Sequence, residues 1–300
     1  MTQTPPVTSA LKGVLFVASA VFLFAAGDTT AKLLFMLWNI PLILALRYGL
    51  NVLILLAALG PRHGRALFRY QRPWLVLLRG AVLAGCSLTF GMALERMPVG
   101  ETVAINYLAP FLVLFIAVPL LGERAGRWGW VATALGFVGV LMIVRPGSGL
   151  NPTGVIFAMI TALGTAAFHL LTRLLARTET TPAMILSTAL VGAVCYGATL
   201  PWSWHGPSPD LGHIALLLVL TITSTFGHFL LTAGYREAPA SLLAPVNYLH
   251  IVWATILGWA VFAHVPDAVT LAGMGLVLAS GVLVALRSGR QKSSSAQIGT

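Results

Sequence analysis

Residues 98–124, PVGETVAINYLAPFLVLFIAVPLLGER, return in altered form at 239–264, PASLLAPVNYLHIVWATILGWAVFAH. The two stretches share an Asn-Tyr-Leu triplet eight residues after a proline, and they lie 141 residues apart. Further pairs at the same offset are Gly13 and Gly154, Val14 and Val155, Phe16 and Phe157, Pro41 and Pro182, and, conservatively, Lys32 and Arg173. Chance produces scattered Leu or Gly matches in so apolar a chain, but it rarely produces this triplet at a fixed distance from a proline. The pattern predicts that the chain contains one unit twice.

The composition predicts a helical membrane protein. Of 300 residues, 58% are hydrophobic and only 9% are charged, and the mean hydropathy is +0.89. The apolar stretches are too long and unbroken for a β-barrel, whose strands alternate apolar and polar residues. Ten apolar runs approach the length of about 20 residues that crosses a bilayer: about 11–33, 41–59, 74–94, 100–119, 128–145, 153–175, 183–201, 212–233, 241–262 and 269–286. The sequence therefore predicts an all-α fold with ten transmembrane helices.

The repeat and the helix count together predict an inverted architecture. We expect a tail over 1–10, a first five-helix repeat over 11–147, a second over 151–287, and a disordered tail over 288–300. Because five is odd, the second copy enters the membrane from the opposite side. Two inverted repeats are typical of secondary transporters, which work by alternating access.

The basic residues set the predicted orientation, since cytoplasmic loops retain Lys and Arg. With both termini inside, thirteen basic residues lie at the cytoplasmic side and two, Arg96 and Arg145, lie outside. The excess of positive charge, +10 in total, lies between apolar spans, so it does not indicate a nucleic-acid partner. We expect a multi-pass protein of the cytoplasmic (inner) membrane with cytoplasmic N- and C-termini.

The quoted motif, extended to begin at Arg96, and the glycine-spaced stretch 128–147 resemble the signature of the EamA family in the drug/metabolite transporter superfamily. Pro110, Gly122 and Glu123 match that pattern in the first copy. The second copy departs from it, with Ile251 in place of the proline and Ala263-His264 in place of Gly-Glu. The resemblance implies a carrier, usually an exporter of amino acids, other metabolites or drugs, and sometimes an importer.

Charged side chains inside spans are functional candidates, because each costs about 2.5–3.5 kcal/mol on insertion scales. Asp28 and Lys32 lie four residues apart on the first helix, and Arg47 lies at similar depth on the second. One interpretation is a structural ion pair with Lys32 reaching the headgroups. The other is an outer gate, or a charge partner for a zwitterionic substrate, with Asp28 exchanging a proton. The repeat favours this second interpretation, because Asp28 corresponds to His169 and Lys32 to Arg173.

The repeated Asn-Tyr pairs are the predicted centre of a substrate cavity. Asn106 and Tyr107 on one side, and Asn247 and Tyr248 on the other, lie about 9 Å inside opposite surfaces at 1.5 Å per residue. Amide, hydroxyl and aromatic groups suit polar or aromatic solutes, although Asn also bonds across helix interfaces in membranes. Further candidates are Glu101, which can also stabilise a helix N-terminus, and His228, His250, Thr89, Phe90 and Tyr235.

Several other functions are disfavoured. No phosphate-binding loop is present, so we expect transport driven by a gradient of substrate, protons or another ion. We expect no metal and no cofactor, and a monomer or homodimer in contact with membrane lipid. The nearest alternative is an importer of a vitamin or nucleoside-like cofactor, of the riboflavin or S-adenosylmethionine type. A lipid-modifying enzyme lacks a convincing catalytic grouping, and a channel would show ion conductance.

Overall fold

The computed structural model describes residues 7–121, 127–145, 147–204, 206–238 and 240–297, and every regular element in these ranges is helical. The α-helices are α1 (Val7–Phe35), α2 (Ile40–His63), α3 (Pro73–Arg96), α4 (Val99–Asn106), α5 (Ala109–Leu121), α6 (Arg127–Ile143), α7 (Pro152–Leu175), α8 (Thr181–Gly197), α9 (Leu200–Ser203), α10 (Leu211–Glu237), α11 (Ala240–Asn247), α12 (Leu249–Phe262) and α13 (Ala268–Gln297). A short 3-10 helix, Gly64–Phe68, follows α2. The predicted all-α class is confirmed.

Six helical segments among the described residues are long and apolar enough to cross a bilayer: 11–35, 40–68, 73–96, 152–175, 211–237 and 245–262. Shorter apolar helices occupy 99–113, 130–143, 181–197 and 268–283. All ten predicted runs therefore fall on helix, and the chain is a multi-pass membrane protein. The count of ten spans stays a prediction, since four of the segments are short.

Prolines position several helix starts. Proline occupies the first turn of α2, α3, α7 and α8, where its missing N–H would have had no partner in any case. Pro41 and Pro182, a pair at the 141-residue offset, are the second residues of α2 and α8. At α7 the side chain of Asn151 accepts a 3.1 Å hydrogen bond from the Gly154 N–H and caps the helix.

The C-terminal segment differs from the expectation of a disordered tail over 288–300. Helix α13 continues from Ala268 through Gln297. The segment contains no proline, the residue that most strongly ends a helix. Gly122 and Glu123 of the family-like motif lie outside the described residues.

The chain divides into two compact units that each draw on both halves of the sequence. The first unit comprises Met1–Thr29, Pro98–Leu150 and Ile222–Thr300. Inside it α6 packs on α13, α4 on α12, and α11 on α13. The second unit comprises Thr30–Met97 and Asn151–Thr221, and inside it α3 packs on α7 and α8, and α2 on α8. Helices α1 and α10 each contribute residues to both units.

Candidate functional site

Two helices of the first unit are interrupted at the repeated Asn-Tyr motif. Helix α4 ends at Asn106 and α5 begins at Ala109, while α11 ends at Asn247 and α12 begins at Leu249. In the first copy Pro110 has no N–H for the carbonyl of Asn106, four residues back, so that intrahelical hydrogen bond cannot form at the interruption. The interruptions lie at corresponding positions of the predicted repeats.

The second interruption forms without a proline at the corresponding position. Ile251 has an N–H, but it donates three residues back, to the carbonyl of Tyr248, at 3.0 Å. The carbonyl of Asn247 is then available, and the hydroxyl of Tyr107 donates to it at 2.7 Å. A side chain of one copy thus satisfies a backbone group that the break exposes in the other copy.

Aromatic and amide groups surround this hydrogen bond. The rings of Tyr107 and Tyr248 lie 4.9 Å apart between centroids and are tilted by 40°. The amide of Asn247 donates to the hydroxyl of Tyr235 at 2.5 Å. We call Tyr107, Tyr235, Asn247 and Tyr248 the tyrosine cluster; all four were predicted to line a cavity. The cluster combines flat apolar surfaces with hydrogen-bonding groups, as the binding of polar or aromatic solutes requires.

Asp28 lies beside this cluster, with His250 next to it. Asp28 Oδ2 and His250 Nε2 are 3.1 Å apart. Both atoms are buried, and among the described residues neither has a well-aligned hydrogen-bond partner. The ring of His250 lies 5.9 Å from that of Tyr107 and 6.1 Å from that of Phe24. The side chains of an acid and a histidine are therefore held together at the edge of the tyrosine cluster.

His228 is connected to this arrangement through the ring of Phe24. Its ring centroid is 4.8 Å from that of Phe24, which also contacts His250. His228 itself is exposed, as is Tyr235. Phe24, which the sequence did not mark as a candidate, therefore stands between two histidines. Asn106, at the other break, is partly buried.

Glu101 forms a second buried contact in the first unit. It lies in the first turn of α4 with 2% of its surface exposed, and its Oε1 is 2.8 Å from Nε2 of His264. The other oxygen, Oε2, has no hydrogen-bond partner among the described residues. His264 is the residue that replaces the glutamate of the family-like motif in the second copy. Glu101 lies at a helix N-terminus, as the sequence predicted. Its contact with His264 was not predicted from the sequence.

The remaining predicted residues lie in the second unit. Lys32 donates to the carbonyls of Leu94 and Met97 at 2.6 and 2.5 Å, at the C-terminal end of α3. The hydroxyls of Thr89 and Thr161 lie 2.7 Å apart, and Arg47 lies over the ring of the adjacent Tyr48. The other members of this group are Phe90 on α3, and His169 and Arg173 on α7.

Arg79 is a buried cation that was not among the predicted site residues. It lies on α3 with 6% of its surface exposed. Its guanidinium donates from Nε to Thr172 Oγ1 at 2.7 Å, and from Nη1 to Thr188 Oγ1 at 2.6 Å and to the Met184 carbonyl at 3.0 Å. The sequence could have identified Arg79, because it is the one charged residue inside the apolar run 74–94. A charge inside a span is the criterion by which Asp28 was selected.

A multi-pass helical protein whose helices break where polar and aromatic side chains meet has the architecture of a membrane transporter. The model of the EamA-like transporter family matches residues 11–145 and again residues 152–286. The second match begins and ends 141 residues after the first, at the offset of the sequence repeat. The chain belongs to the EamA-like transporter family.

Curated relatives are named as transporters of different small molecules. An S-adenosylmethionine uptake transporter of Rickettsia felis is 26% identical over 225 residues, 74% of this chain and 75% of the relative. A riboflavin transporter of Rhizobium johnstonii is 28% identical over 244 residues, 79% of this chain and 78% of the relative. The pseudopaline exporter of Pseudomonas aeruginosa is 27% identical over 268 residues, 89% of this chain and 93% of the relative. The relatives are transporters rather than enzymes, and their directions differ.

One crystal structure aligns over 95% of this chain and 98% of its own, with a TM-score of 0.67 and 20% sequence identity. This likeness supports the fold and carries no information about the substrate.

Proposed function

We propose that this transporter is a secondary active carrier that moves a small organic metabolite across the cytoplasmic membrane by alternating access. The observation that carries the proposal is the pair of interrupted helices at the repeated Asn-Tyr motif, joined by the bond from Tyr107 to Asn247. Broken helices place backbone carbonyls and half-helix ends at the binding sites of such carriers. The tyrosine cluster and Asn106 form the proposed substrate site of the first unit. Thr89 and Phe90, in the second unit, stay separate predicted candidates.

The proposal includes the ten-span topology. Two inverted repeats, 11–147 and 151–287, cross the inner membrane with both termini in the cytoplasm. The asymmetry of basic residues supports the orientation, and the two family matches support the repeat. Ten apolar helical segments, six long and four short, supply the spans.

Export of an amino acid or a related metabolite is the proposed direction. The alignment with the pseudopaline exporter spans 89% of this chain, against 74% for the S-adenosylmethionine uptake transporter. Uptake of a cofactor of the S-adenosylmethionine or riboflavin type is the second candidate, because relatives carrying those names match at similar identity.

We propose proton coupling through Asp28 and His250. Two titratable side chains 3.1 Å apart in a span can share one proton, and the cost of a buried charge favours states in which the pair is neutral overall. Tyr107 is the titratable group that faces His250 from the tyrosine cluster. Substrate binding at that cluster would act directly on the pair. The other members of the proposed gating set are Lys32, Arg47, Glu101, His169 and Arg173.

Counterflow in proteoliposomes tests the carrier. The full-length protein is reconstituted with S-adenosylmethionine, riboflavin, pseudopaline or single amino acids inside, and entry of the labelled compound is followed. We expect saturable exchange of one compound, and Asn106→Ala and Asn247→Ala should each reduce it at normal expression. Thr232→Ala is the control, because within the described part of the chain that hydroxyl bonds just to its own helix, at the His228 carbonyl, at 2.8 Å. No exchange of any compound, with an ion current in planar bilayers, would contradict the carrier.

Asp28→Asn tests the coupling. We expect a pH gradient to drive accumulation by the wild-type protein and not by the variant, while counterflow persists because exchange moves no net proton. Repeating the assay with outward and inward proton gradients shows whether the substrate moves with the protons or against them, and so in which direction transport runs. Accumulation by Asp28→Asn that follows the gradient as in the wild type would remove Asp28 from the coupling mechanism.

A further inference from the structure

Arg79 is held in one orientation by three helices of the second unit. Its bonds to Thr172 on α7 and to Thr188 and Met184 on α8 use Nε and Nη1. The guanidinium carbon also lies 4.4 Å from the ring centroid of Phe168, so one face of the group is covered. All the partners are neutral. The positive charge is fixed in place, and no acidic side chain among the described residues compensates it.

The acidic residues of the second unit all have other partners. Glu95 pairs with Arg96, and Asp210 pairs with His213. The carboxylate of Glu179 accepts the backbone N–H groups of Gln71 and Arg72 at 2.9 and 2.7 Å. In the first unit Asp28, Glu101, Glu237 and Asp267 contact His250, His264, Lys12 and Arg145 respectively. These seven are all the acids that the structure describes, and none forms an ion pair with Arg79.

The terminal nitrogen Nη2 of Arg79 makes no hydrogen bond within the described ranges, and it is not fully buried, so a ligand atom can reach it. Arginine presents five N–H donors and cannot lose its charge in a protein. A buried cation is normally paired, because an uncompensated charge away from water is costly. An anionic oxygen group would accept hydrogen bonds from the two N–H groups of Nη2 and would also balance the positive charge of Arg79.

We infer that Arg79 binds an oxyanion, a carboxylate or phosphate group, through Nη2. Because Nε and Nη1 are already engaged, the oxyanion is held at one end of the guanidinium rather than by a two-nitrogen fork. Two sources share this chemistry: the acidic group of a soluble metabolite and the phosphate of an anionic lipid. If the proposed transport function is correct, the soluble source makes an anionic group part of the substrate class.

Thermal unfolding of the full-length protein tests the inference without requiring transport. The protein is placed in nanodiscs of phosphatidylcholine alone, and the melting temperature is followed by tryptophan fluorescence. Benzoate and benzamide have nearly the same shape and differ in charge. We expect benzoate to raise the melting temperature by about 2 °C or more beyond benzamide at saturating concentration, as ligand linkage requires. Arg79→Met should abolish this difference, and Arg96→Met, on the same helix, should keep it.

A second variant covers the case in which Arg79→Met does not fold. In Thr188→Asp, the new carboxylate lies next to Nη1 and supplies the missing charge internally, so the benzoate effect should disappear while the fold is kept.

The lipid source is distinguished with nanodiscs that contain phosphatidylglycerol. Stabilisation by that lipid, lost in Arg79→Met and with no benzoate effect, would identify the oxyanion as a headgroup phosphate. If neither benzoate nor phosphatidylglycerol stabilises the wild type, or if the variants respond as the wild type does, Arg79 only joins helices and the inference is overturned. A failure of counterflow would contradict the transport proposal and leave this result unaffected.

Discussion

The hydroxyl of Tyr107 donates a 2.7 Å hydrogen bond to the main-chain carbonyl of Asn247. Each residue belongs to the Asn-Tyr motif of a different copy of the repeat. The bond joins the two helix interruptions, at α4/α5 and α11/α12, within the first unit. Geometry at one interruption therefore depends on the other, which makes this contact the most informative one to remove.

Tyr107→Phe removes the hydroxyl and keeps the ring. The carbonyl of Asn247 then lacks its partner, at a cost of about 1–3 kcal/mol. We expect exchange in proteoliposomes to fall about fivefold or more. Tyr70→Phe is the matched control, because the Tyr70 hydroxyl lies outside the tyrosine cluster and makes no hydrogen bond among the described residues. Equal losses in both variants would show that the bond to Asn247 is not the cause.

Gly281 provides a packing test of the tyrosine cluster. A Cβ at this position would overlap the ring carbons of Tyr248, so Gly281→Ala must displace that ring from Tyr107. Overpacking of this kind costs about 1–3 kcal/mol. We expect lower transport and a lower melting temperature. Gly275→Ala lies on the same helix with nothing within 4 Å of the new methyl group, and it should match the wild type. Unchanged transport by Gly281→Ala would mean that the position of Tyr248 does not matter.

Lys32 is expected to contribute to stability. Its ammonium group satisfies two carbonyls at the C-terminal end of α3, where a positive charge also complements the helix dipole. Bonds to a charged donor are worth about 1.5–3 kcal/mol, so Lys32→Met should lower the melting temperature by several degrees. Lys12→Met, on the same helix, removes an exposed pair with Glu237 and should have little effect. The reverse order of the two melting temperatures would refute this assignment.

The lowered pKa of Asp267 predicts how the stability of the protein depends on pH. The backbone N–H of Thr270 and then the guanidinium of Arg145 lower the pKa of this carboxyl to about 2. Because the pKa is lower in the folded state, the ionised carboxylate stabilises the fold fully at pH values above its ordinary pKa of about 3.9. This stabilisation is lost as the pH falls towards about 2. We expect Asp267→Asn to unfold at a lower temperature than the wild type at pH 7. Unfolding scans should show this difference shrinking below about pH 4; a constant difference down to pH 2 would mean that the charge of Asp267 is not its origin.

The sequence predicted the helices because apolar runs are visible along the chain, and it selected Tyr107, Asn247 and Tyr248 because their triplets repeat. Tyr235 lies outside the triplets and was only a further candidate. The sequence could not predict the break after Asn247, since Ile251 retains an N–H and only the hydroxyl of Tyr107 offers the exposed carbonyl a partner. The four-residue spacing of Asp28 and Lys32 suggested that these two side chains pair. In the structure Asp28 instead contacts His250, which lies on another helix far along the chain. Contacts of this type follow from packing, which a single sequence does not display.

The contact between Glu101 and His264 shows how far the two copies have become specialised. In a protein assembled from two identical first halves, the position of His264 would carry the equivalent of Glu123, and two carboxylates would face each other where acid and imidazole now meet. The two halves are therefore not interchangeable, because Glu101 of the first copy has its partner, His264, at a position where the second copy departs from the motif of the first.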